Sequence, residues 1–240
     1  MQLIWCEDAR ALAARAASKV IDLLSHKPDA TLALPTGLTP LGLYAQLRSR
    51  FERREVSFAQ AKLFNLDEYA GLPSTDTLSY AHFLRSHLID RVDARPENVR
   101  LLRGDAADAR EECRQYDEAI RRSGGLDLAI LGLGTNGHIA FNEPGADWSS
   151  STHTVELTPA TRAVHFQQQA GRPGIPGYGI TMGVGTIRAA RQVLLLVVGE
   201  AKRPALAALR RGIPDAQWPV TSLLDHPDLT VMCDAILRET

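Results

Sequence analysis

One stretch of the chain, residues 126–145, constrains the fold more than any other. It begins with an apolar run whose length is typical of a buried strand, and it then breaks into glycines. Polar side chains appear only after that break, at Asn136, His138, Asn142 and Glu143. The pattern predicts a buried strand that carries a loop of reactive groups.

The glycines of this stretch also have the spacing G-x-G-x-x-G of a dinucleotide-binding fingerprint. In that fingerprint the last glycine opens a long helix, whose N-terminus holds the pyrophosphate. Here Pro144 and Gly145 interrupt the chain before two helical turns are complete. Glu156 lies near the distance expected of the ribose-binding acid, so the match to the fingerprint is weak rather than absent. The sequence therefore disfavours a nucleotide, and we expect no cofactor.

Strand and helix patterns alternate along the whole chain. Apolar residues at helical spacing predict a helix at 8–24, and further helices are expected at 79–89, with Ser79 as its N-cap, at 107–122, which is rich in charge, and at 159–169. Apolar or β-branched runs predict strands at 2–6, 31–34, 61–65, 99–101, 126–132, 152–156, 178–182, 192–198 and 229–233. This alternation predicts an α/β fold, with a mostly parallel sheet and helices on both faces. No Ser/Gly-rich or highly charged linker divides the 240 residues, so we expect a single domain, 1–240.

Composition excludes several classes of protein. The 27 basic and 28 acidic residues leave a net charge of -1, so no overall field favours nucleic acid or a membrane. Three widely spaced cysteines fit free thiols in a reducing compartment, and small buried hydrophobic residues are their favoured interpretation. The start lacks a basic segment followed by a long apolar one, so we expect a cytoplasmic protein.

A loop after the second predicted strand has the features of an anion site. Thr39 is expected to cap a helix that has Pro40 at its first position. That arrangement directs free backbone N–H groups into the loop, where Thr36, Gly37 and Thr39 would bind a phosphate or carboxylate. A well-capped helix without a ligand explains the same residues equally well.

Further candidate groups also follow predicted strands. Asp67 and Glu68 come directly after the strand at 61–65, and Lys202 lies near the start of a helix, where its charge opposes the helix dipole. A solvated acidic turn and a surface lysine are the structural alternatives. Because parallel strands place their carboxyl ends along one edge, these groups and His138 can share a cleft.

The combination of groups indicates a reaction class. A histidine titrates near neutral pH, and a neighbouring carboxylate can orient it and support its charge during proton transfer. The sequence has no His/Cys/Asp cluster with metal-ligand spacing and no obvious nucleophile elbow. We therefore expect metal-free proton transfers on a small phosphorylated substrate.

At these residues the chain resembles the glucosamine-6-phosphate deaminase family, also called glucosamine-6-phosphate isomerases. The motifs are L-P-T-G-L-T-P at 34–40, F-N-L-D-E-Y at 64–69, L-G-L-G-T-N-G-H-I-A-F-N-E-P at 131–144 and T-M-G-V-G at 181–185. The resemblance covers nearly the whole chain and implies a modified Rossmann-like fold. It also implies a hydrolase that converts glucosamine 6-phosphate and water to fructose 6-phosphate and ammonia.

The resemblance implies a role for each catalytic residue. His138 matches the base that opens the sugar ring, and Glu143 matches the carboxylate that orients it. Asp67 matches the base that moves a proton from C2 to C1. Asn136 takes a position where some members carry aspartate, so the pKa of His138 is expected to be lower than in those members.

The resemblance also implies substrate contacts, and the sequence departs from the family at two of them. Leu38 replaces a glycine common in the loop, which restricts a positive φ there. The family's phosphate-binding arginine is missing after Arg162, and Arg172 is the candidate replacement. The expected contacts are Thr36, Gly37, Leu38, Thr39, Glu68, Gly134, Lys202 and Arg172.

Alternatives within the fold are a galactosamine-6-phosphate deaminase, a 6-phosphogluconolactonase and a sugar-phosphate sensor without activity. The motifs at Asp67 and Glu143 favour the amino-sugar enzymes, and the sequence shows no DNA-binding segment for a sensor. The chain lacks the longer C-terminal segment of hexameric allosteric members, which favours a short, non-allosteric form. The choice between monomer and homo-oligomer stays open.

Overall fold

The structure is a computed structural model that describes residues 1–159, 161–162 and 176–238. The strands are β1 Gln2–Cys6, β2 Thr31–Leu34, β3 Lys62–Asn65, β4 Asp67–Tyr69, β5 Val99–Arg100, β6 Leu128–Gly132, β7 His153–Glu156, β8 Tyr178–Thr181, β9 Gln192–Val197 and β10 Leu229–Asp234. The helices are α1 Ala9–His26, α2 Leu41–Glu52, α3 Tyr80–His87, α4 Ala109–Arg122, α5 Val184–Arg188 and α6 Arg203–Arg210.

Seven strands form the main sheet, in the order β1-β10-β9-β6-β2-β3-β5. Every neighbouring pair in it is parallel, so all seven carboxyl ends lie along one edge. One face packs against α1, α2 and α3, and the other against α4, α5 and α6. The predicted α/β fold with helices on both faces is confirmed.

A second, antiparallel sheet of three strands, in the order β4-β8-β7, was not predicted. Asp67 pairs with Thr181 in it, so the acidic residues that follow β3 form a short strand, and the alternative of a solvated acidic turn is wrong. The Asn65 side chain donates to the Asp67 carbonyl at 2.7 Å, and Met182 N–H donates to the Leu66 carbonyl at 2.7 Å. These bonds turn the chain out of the main sheet immediately after β3.

Predicted helix caps are confirmed at one position and wrong at another. Ser79 caps α3, where its hydroxyl accepts from His82 N–H at 3.3 Å. Thr39 does not cap α2, because Pro40 is already helical and its carbonyl accepts from Tyr44 N–H at 2.9 Å. The Thr39 side chain is thereby left to face the cleft described below.

The loop between β2 and α2 accommodates Leu38 without strain. Gly37 has a φ of 93°, while Leu38 is not among the residues with positive φ. The expectation that Leu38 would restrict a required positive φ is therefore wrong, because the neighbouring glycine supplies that conformation. Leu38 instead has 63% of its surface exposed at the rim of the cleft.

Two predicted features lie partly or wholly outside the described residues. A helix was expected at 159–169, of which only 159, 161 and 162 are described, and Arg172 belongs to the same segment. Within the described ranges, no helix combines the length and apolar character needed to cross a membrane.

Candidate active site

A cleft opens at the edge of the main sheet where the parallel strands end. The space between its walls, counted out to the open mouth, is about 790 Å³. The structure brings most of the predicted site residues together in its lining: Thr36, Gly37, Leu38, Thr39, Asp67, Gly134, His138 and Lys202.

Lys202 contributes a positive charge to this cleft, just before α6. Burial lowers the pKa of Lys202, and no carboxylate of the described residues offsets this effect. The loop that carries it is held by Asp234, whose carboxylate accepts from Gly199 N–H at 3.0 Å. A half-buried ammonium that lacks a carboxylate partner across the described chain is suited to bind an anionic ligand.

The loop after β6 closes tightly around His138. Gly134 N–H donates to the His138 carbonyl at 2.9 Å, and Gly137, with a φ of 84°, donates to the Gly134 carbonyl at 3.1 Å. A Cβ atom on Gly134 would lie 2.4 Å from the His138 ring. Gly134 therefore makes room for the His138 ring.

His138, Glu143 and Asn136 form a polar network. Nδ1 of His138 lies 3.9 Å from Oε2 of Glu143, and that oxygen accepts from the Asn136 side-chain amide at 2.7 Å. The Asn136 side-chain oxygen in turn accepts from His138 backbone N–H at 3.2 Å. Asn136 thus links the carboxylate to the backbone of the histidine.

The electrostatics of His138 favour a neutral imidazole. Burial is the main cause that lowers the pKa of His138, and the Lys202 charge lowers it further, while Glu143 acts in the opposite direction. Nδ1 is buried and has no hydrogen-bond partner among the described residues. The expected difference from aspartate-bearing members concerns Asn136 and stays a prediction.

One threonine holds the other oxygen of Glu143, and a second lies close to it. The Thr161 hydroxyl donates to Oε1 of Glu143, and the Thr158 hydroxyl lies 3.4 Å from the same oxygen. Thr161 is 3% exposed and lines the cleft. Sequence reasoning missed both residues, although a pair of threonines three positions apart, next to a predicted strand, resembles a helix start.

Asp67 lies in the cleft as a buried acid. Only 6% of its surface is exposed, and burial, followed by the negative charge of Glu68, raises the pKa of Asp67 well above its usual value. A carboxylate with a raised pKa is a stronger base than an ordinary aspartate once it is ionised. The group is therefore suited to abstract a proton from a weakly acidic C–H bond.

Glu68 does not reach the cleft. Its carboxylate is buried and accepts from the backbone N–H groups of Tyr69, Tyr80 and Ala81, each at 2.8–2.9 Å, and from the Ser79 hydroxyl at 2.8 Å. It therefore anchors the start of α3 to β4. The structure separates Glu68 from the predicted substrate contacts, because neighbouring residues of a strand point to opposite faces.

Comparisons with known proteins address the family. The sequence matches the family described as glucosamine-6-phosphate isomerases/6-phosphogluconolactonase over residues 7–232. The chain belongs to this family. A glucosamine-6-phosphate deaminase of Shouchella clausii is 38% identical over 98% of this chain and 95% of its own length. One of Hahella chejuensis is 42% identical over 98% of this chain and 89% of its own.

Solved structures of the glucosamine-6-phosphate isomerase/6-phosphogluconolactonase family share the fold. A monomeric glucosamine-6-phosphate deaminase superimposes with a TM-score of 0.95 at 36% identity, covering 99% of this chain and 98% of that one. A 6-phosphogluconolactonase from Trypanosoma cruzi has a TM-score of 0.79 at 20% identity, covering 98% and 95%. This second likeness concerns the fold alone.

One aromatic side chain of this family member also lines the cleft and was not singled out as a site residue. Tyr80, the first residue of α3, is 8% exposed, and its ring packs against those of Tyr69 and Phe141, with centroids 4.8 and 5.7 Å away. Burial raises the pKa of Tyr80 well above its usual value, so its hydroxyl stays protonated. Its side chain also hydrogen-bonds to Thr36, next to the predicted anion site.

Proposed function

We propose that the chain converts glucosamine 6-phosphate and water to fructose 6-phosphate and ammonia. One observation carries the proposal: a buried aspartate, a neutral histidine with a nearby carboxylate and an unpaired lysine of the described chain share one cleft. The curated relatives, named as deaminases of this sugar phosphate over nearly full length, support the same reaction. They support a deaminase or isomerase and add nothing to the broader label of hydrolase.

The phosphate would bind at the Lys202 end of the cleft. The Thr36–Thr39 loop contributes hydroxyl and backbone N–H donors there, and the lysine contributes charge without the cost of breaking an ion pair. A phosphate dianion carries up to two negative charges, so a second cation is expected. Arg172 is our proposal for that cation.

His138 would open the sugar ring. In this step the neutral imidazole accepts the proton of the anomeric hydroxyl, and the imidazolium returns a proton to the ring oxygen as the C1–O bond to the ring breaks. The pKa of His138, lowered by burial, keeps the ring neutral and ready to accept. Glu143, 3.9 Å away, would stabilise the charge that develops, and Asn136 holds that carboxylate in place.

Asp67 would carry out the isomerisation. Its carboxylate takes the proton from C2 of the open-chain aldehyde, and an enolamine forms as electrons shift to the C1 oxygen, which takes up a proton given by the ammonium group of the substrate. The same proton returns to C1, which leaves an imine at C2. Water adds to this imine, and ammonia leaves to give the ketose. The raised pKa of Asp67 suits both the removal and the return of the proton.

Purified protein tests the proposal. Ammonia and fructose 6-phosphate should appear in equal amounts from glucosamine 6-phosphate, with a lower kcat/KM for the galactosamine epimer. Hydrolysis of 6-phosphogluconolactone, followed as acid release, is the matched comparison. Turnover of the lactone alone, or binding of sugar phosphate without turnover of any of the three, would contradict the proposed reaction.

A further inference from the structure

The two oxygens of the Glu143 carboxylate are held by different parts of the chain. Oε2 accepts from the Asn136 amide at 2.7 Å and lies nearest to His138. Oε1 accepts from the hydroxyl of Thr161, a residue that follows β7 and stands 18 positions along the chain from Glu143. A carboxylate held at both ends cannot rotate freely about its last side-chain bond, so its orientation toward the histidine is defined.

The protons of the two threonine hydroxyls can be assigned, because each hydroxyl has only one. Thr161 donates its proton to Oε1 of Glu143, because a carboxylate oxygen accepts and has no proton to give. The Thr158 oxygen accepts from Thr161 N–H at 3.1 Å and lies 3.1 Å from the Thr161 oxygen, to which its own proton can point. The result is a directed chain from Thr158 to Thr161 to Glu143.

Burial strengthens the effect of the hydrogen bond between Thr161 and Glu143. Thr161 is 3% exposed, and the Glu143 side chain is 12% exposed, so water cannot easily replace the hydroxyl as a donor. Loss of a partner from a buried charged group costs more free energy than the loss of an exposed hydrogen bond, because water does not replace the missing donor. Without its donor on Oε1, the carboxylate is free to turn away from Asn136 and His138.

We propose that Thr161 is a positioning residue for the reaction: its hydroxyl, oriented by Thr158, aims Glu143 at His138. The inference rests on the proposed function for its effect on rate. Its effect on the histidine does not depend on any activity.

The test compares Thr161→Val with Thr161→Ser. Valine has the same shape and no hydroxyl, whereas serine restores the donor. We expect kcat for glucosamine 6-phosphate to fall roughly 10- to 100-fold in the valine variant with KM within about threefold of wild type, and kcat of the serine variant to return to within about threefold. Thr154→Val, an exposed site on β7, is the control for the substitution itself.

A double-mutant cycle shows whether Thr161 acts through Glu143. In a Glu143→Gln background, Thr161→Val should lower kcat by less than about twofold, because the group it positions has already lost its charge. Independent, multiplicative losses would overturn the proposal. So would a valine variant that keeps wild-type kcat, a serine variant no better than valine, or a loss confined to KM, which would make Thr161 a substrate contact instead.

The titration of His138 by NMR gives a readout that needs no turnover, with the signal assigned by its absence in His138→Asn. The charged groups that act on this ring are Glu143 and Lys202. When Thr161→Val lets the carboxylate turn away, the pKa of His138 should fall below the wild-type value and recover in Thr161→Ser. An unchanged titration would refute positioning. An inactive wild type with the expected titration would refute only the proposed reaction.

Discussion

Replacement of Gly134 by alanine tests the packing on which the histidine's position depends. A Cβ atom at this position would lie 2.4–2.5 Å from Cγ, Nδ1 and Cδ2 of the His138 ring. Carbon atoms in contact prefer about 3.5–4.0 Å, so the ring and the new methyl group must separate by about 1 Å or more. The neighbouring backbone resists, because Gly134 N–H and the His138 carbonyl are already joined at 2.9 Å.

The displacement predicts a loss of activity larger than the loss of stability. A misplacement of about 1 Å costs an enzyme roughly 100-fold in rate, so kcat of Gly134→Ala should fall by about that factor. Overpacking costs about 1–3 kcal/mol, and each kcal/mol lowers Tm by about 2–4 °C in a chain of this size. The variant should therefore remain folded at the temperature of the assay.

Ammonia release under saturating substrate, together with thermal unfolding followed by circular dichroism, measures both effects. Gly177→Ala is the matched control, because a Cβ atom there meets nothing within 4 Å and the backbone φ is not in the positive range. A Gly134→Ala variant with wild-type kcat and Tm would refute the packing argument. A variant unfolded at the assay temperature would refute the estimate that separates the two effects.

Three further predictions concern individual charged groups. Asp67→Asn should lower kcat by about 100-fold or more. It should also raise Tm at neutral pH, because a buried acid with a raised pKa destabilises the fold once it is ionised. Near-normal turnover or a lower Tm would contradict this prediction. In the wild type, kcat/KM should fall as pH decreases through the raised pKa of Asp67, so an acid limb in the ordinary aspartate range near 3.8 would count against its role as base. Lys202→Ala and Arg172→Ala should each raise KM for the sugar phosphate about tenfold or more, with little change in kcat. The control Lys19→Ala on α1 should leave KM unchanged. An unaltered KM in the Lys202 or the Arg172 variant would remove that residue from the phosphate site.

Local rules of sequence were sufficient for the strands of the main sheet and for most of the cleft. The alternation of strand and helix patterns along the chain predicted the parallel sheet. Its strands could be recognised because a strand buried on both faces needs a nearly continuous apolar run. The parallel arrangement then placed the loops that carry Thr36, His138 and Lys202 at one edge. The same rules could not predict β4, since three residues carry too little periodicity and its partner β8 lies more than a hundred positions away.

The loop at 126–145 shows where local sequence stops being informative. Its order of residues was enough to indicate a buried strand, a glycine-rich turn and a histidine followed by a carboxylate. Only the folded chain determined that Asn136 occupies one oxygen of Glu143 and that Thr161, from another segment, occupies the other. Hydrogen bonds between distant segments depend on distances that local spacing does not encode.

Asp67 and Glu68 also show what the sequence indicates and what only the tertiary structure determines. By itself the sequence placed Asp67 and Glu68 after a strand and near a cleft, and the family resemblance expected both in the site, Asp67 as a base and Glu68 as a substrate contact. The tertiary structure turned one carboxylate into the cleft and used the other to anchor the start of α3. The physical reason is the alternation of side chains along β4, combined with burial that raises the pKa of Asp67 and with four donors that satisfy Glu68.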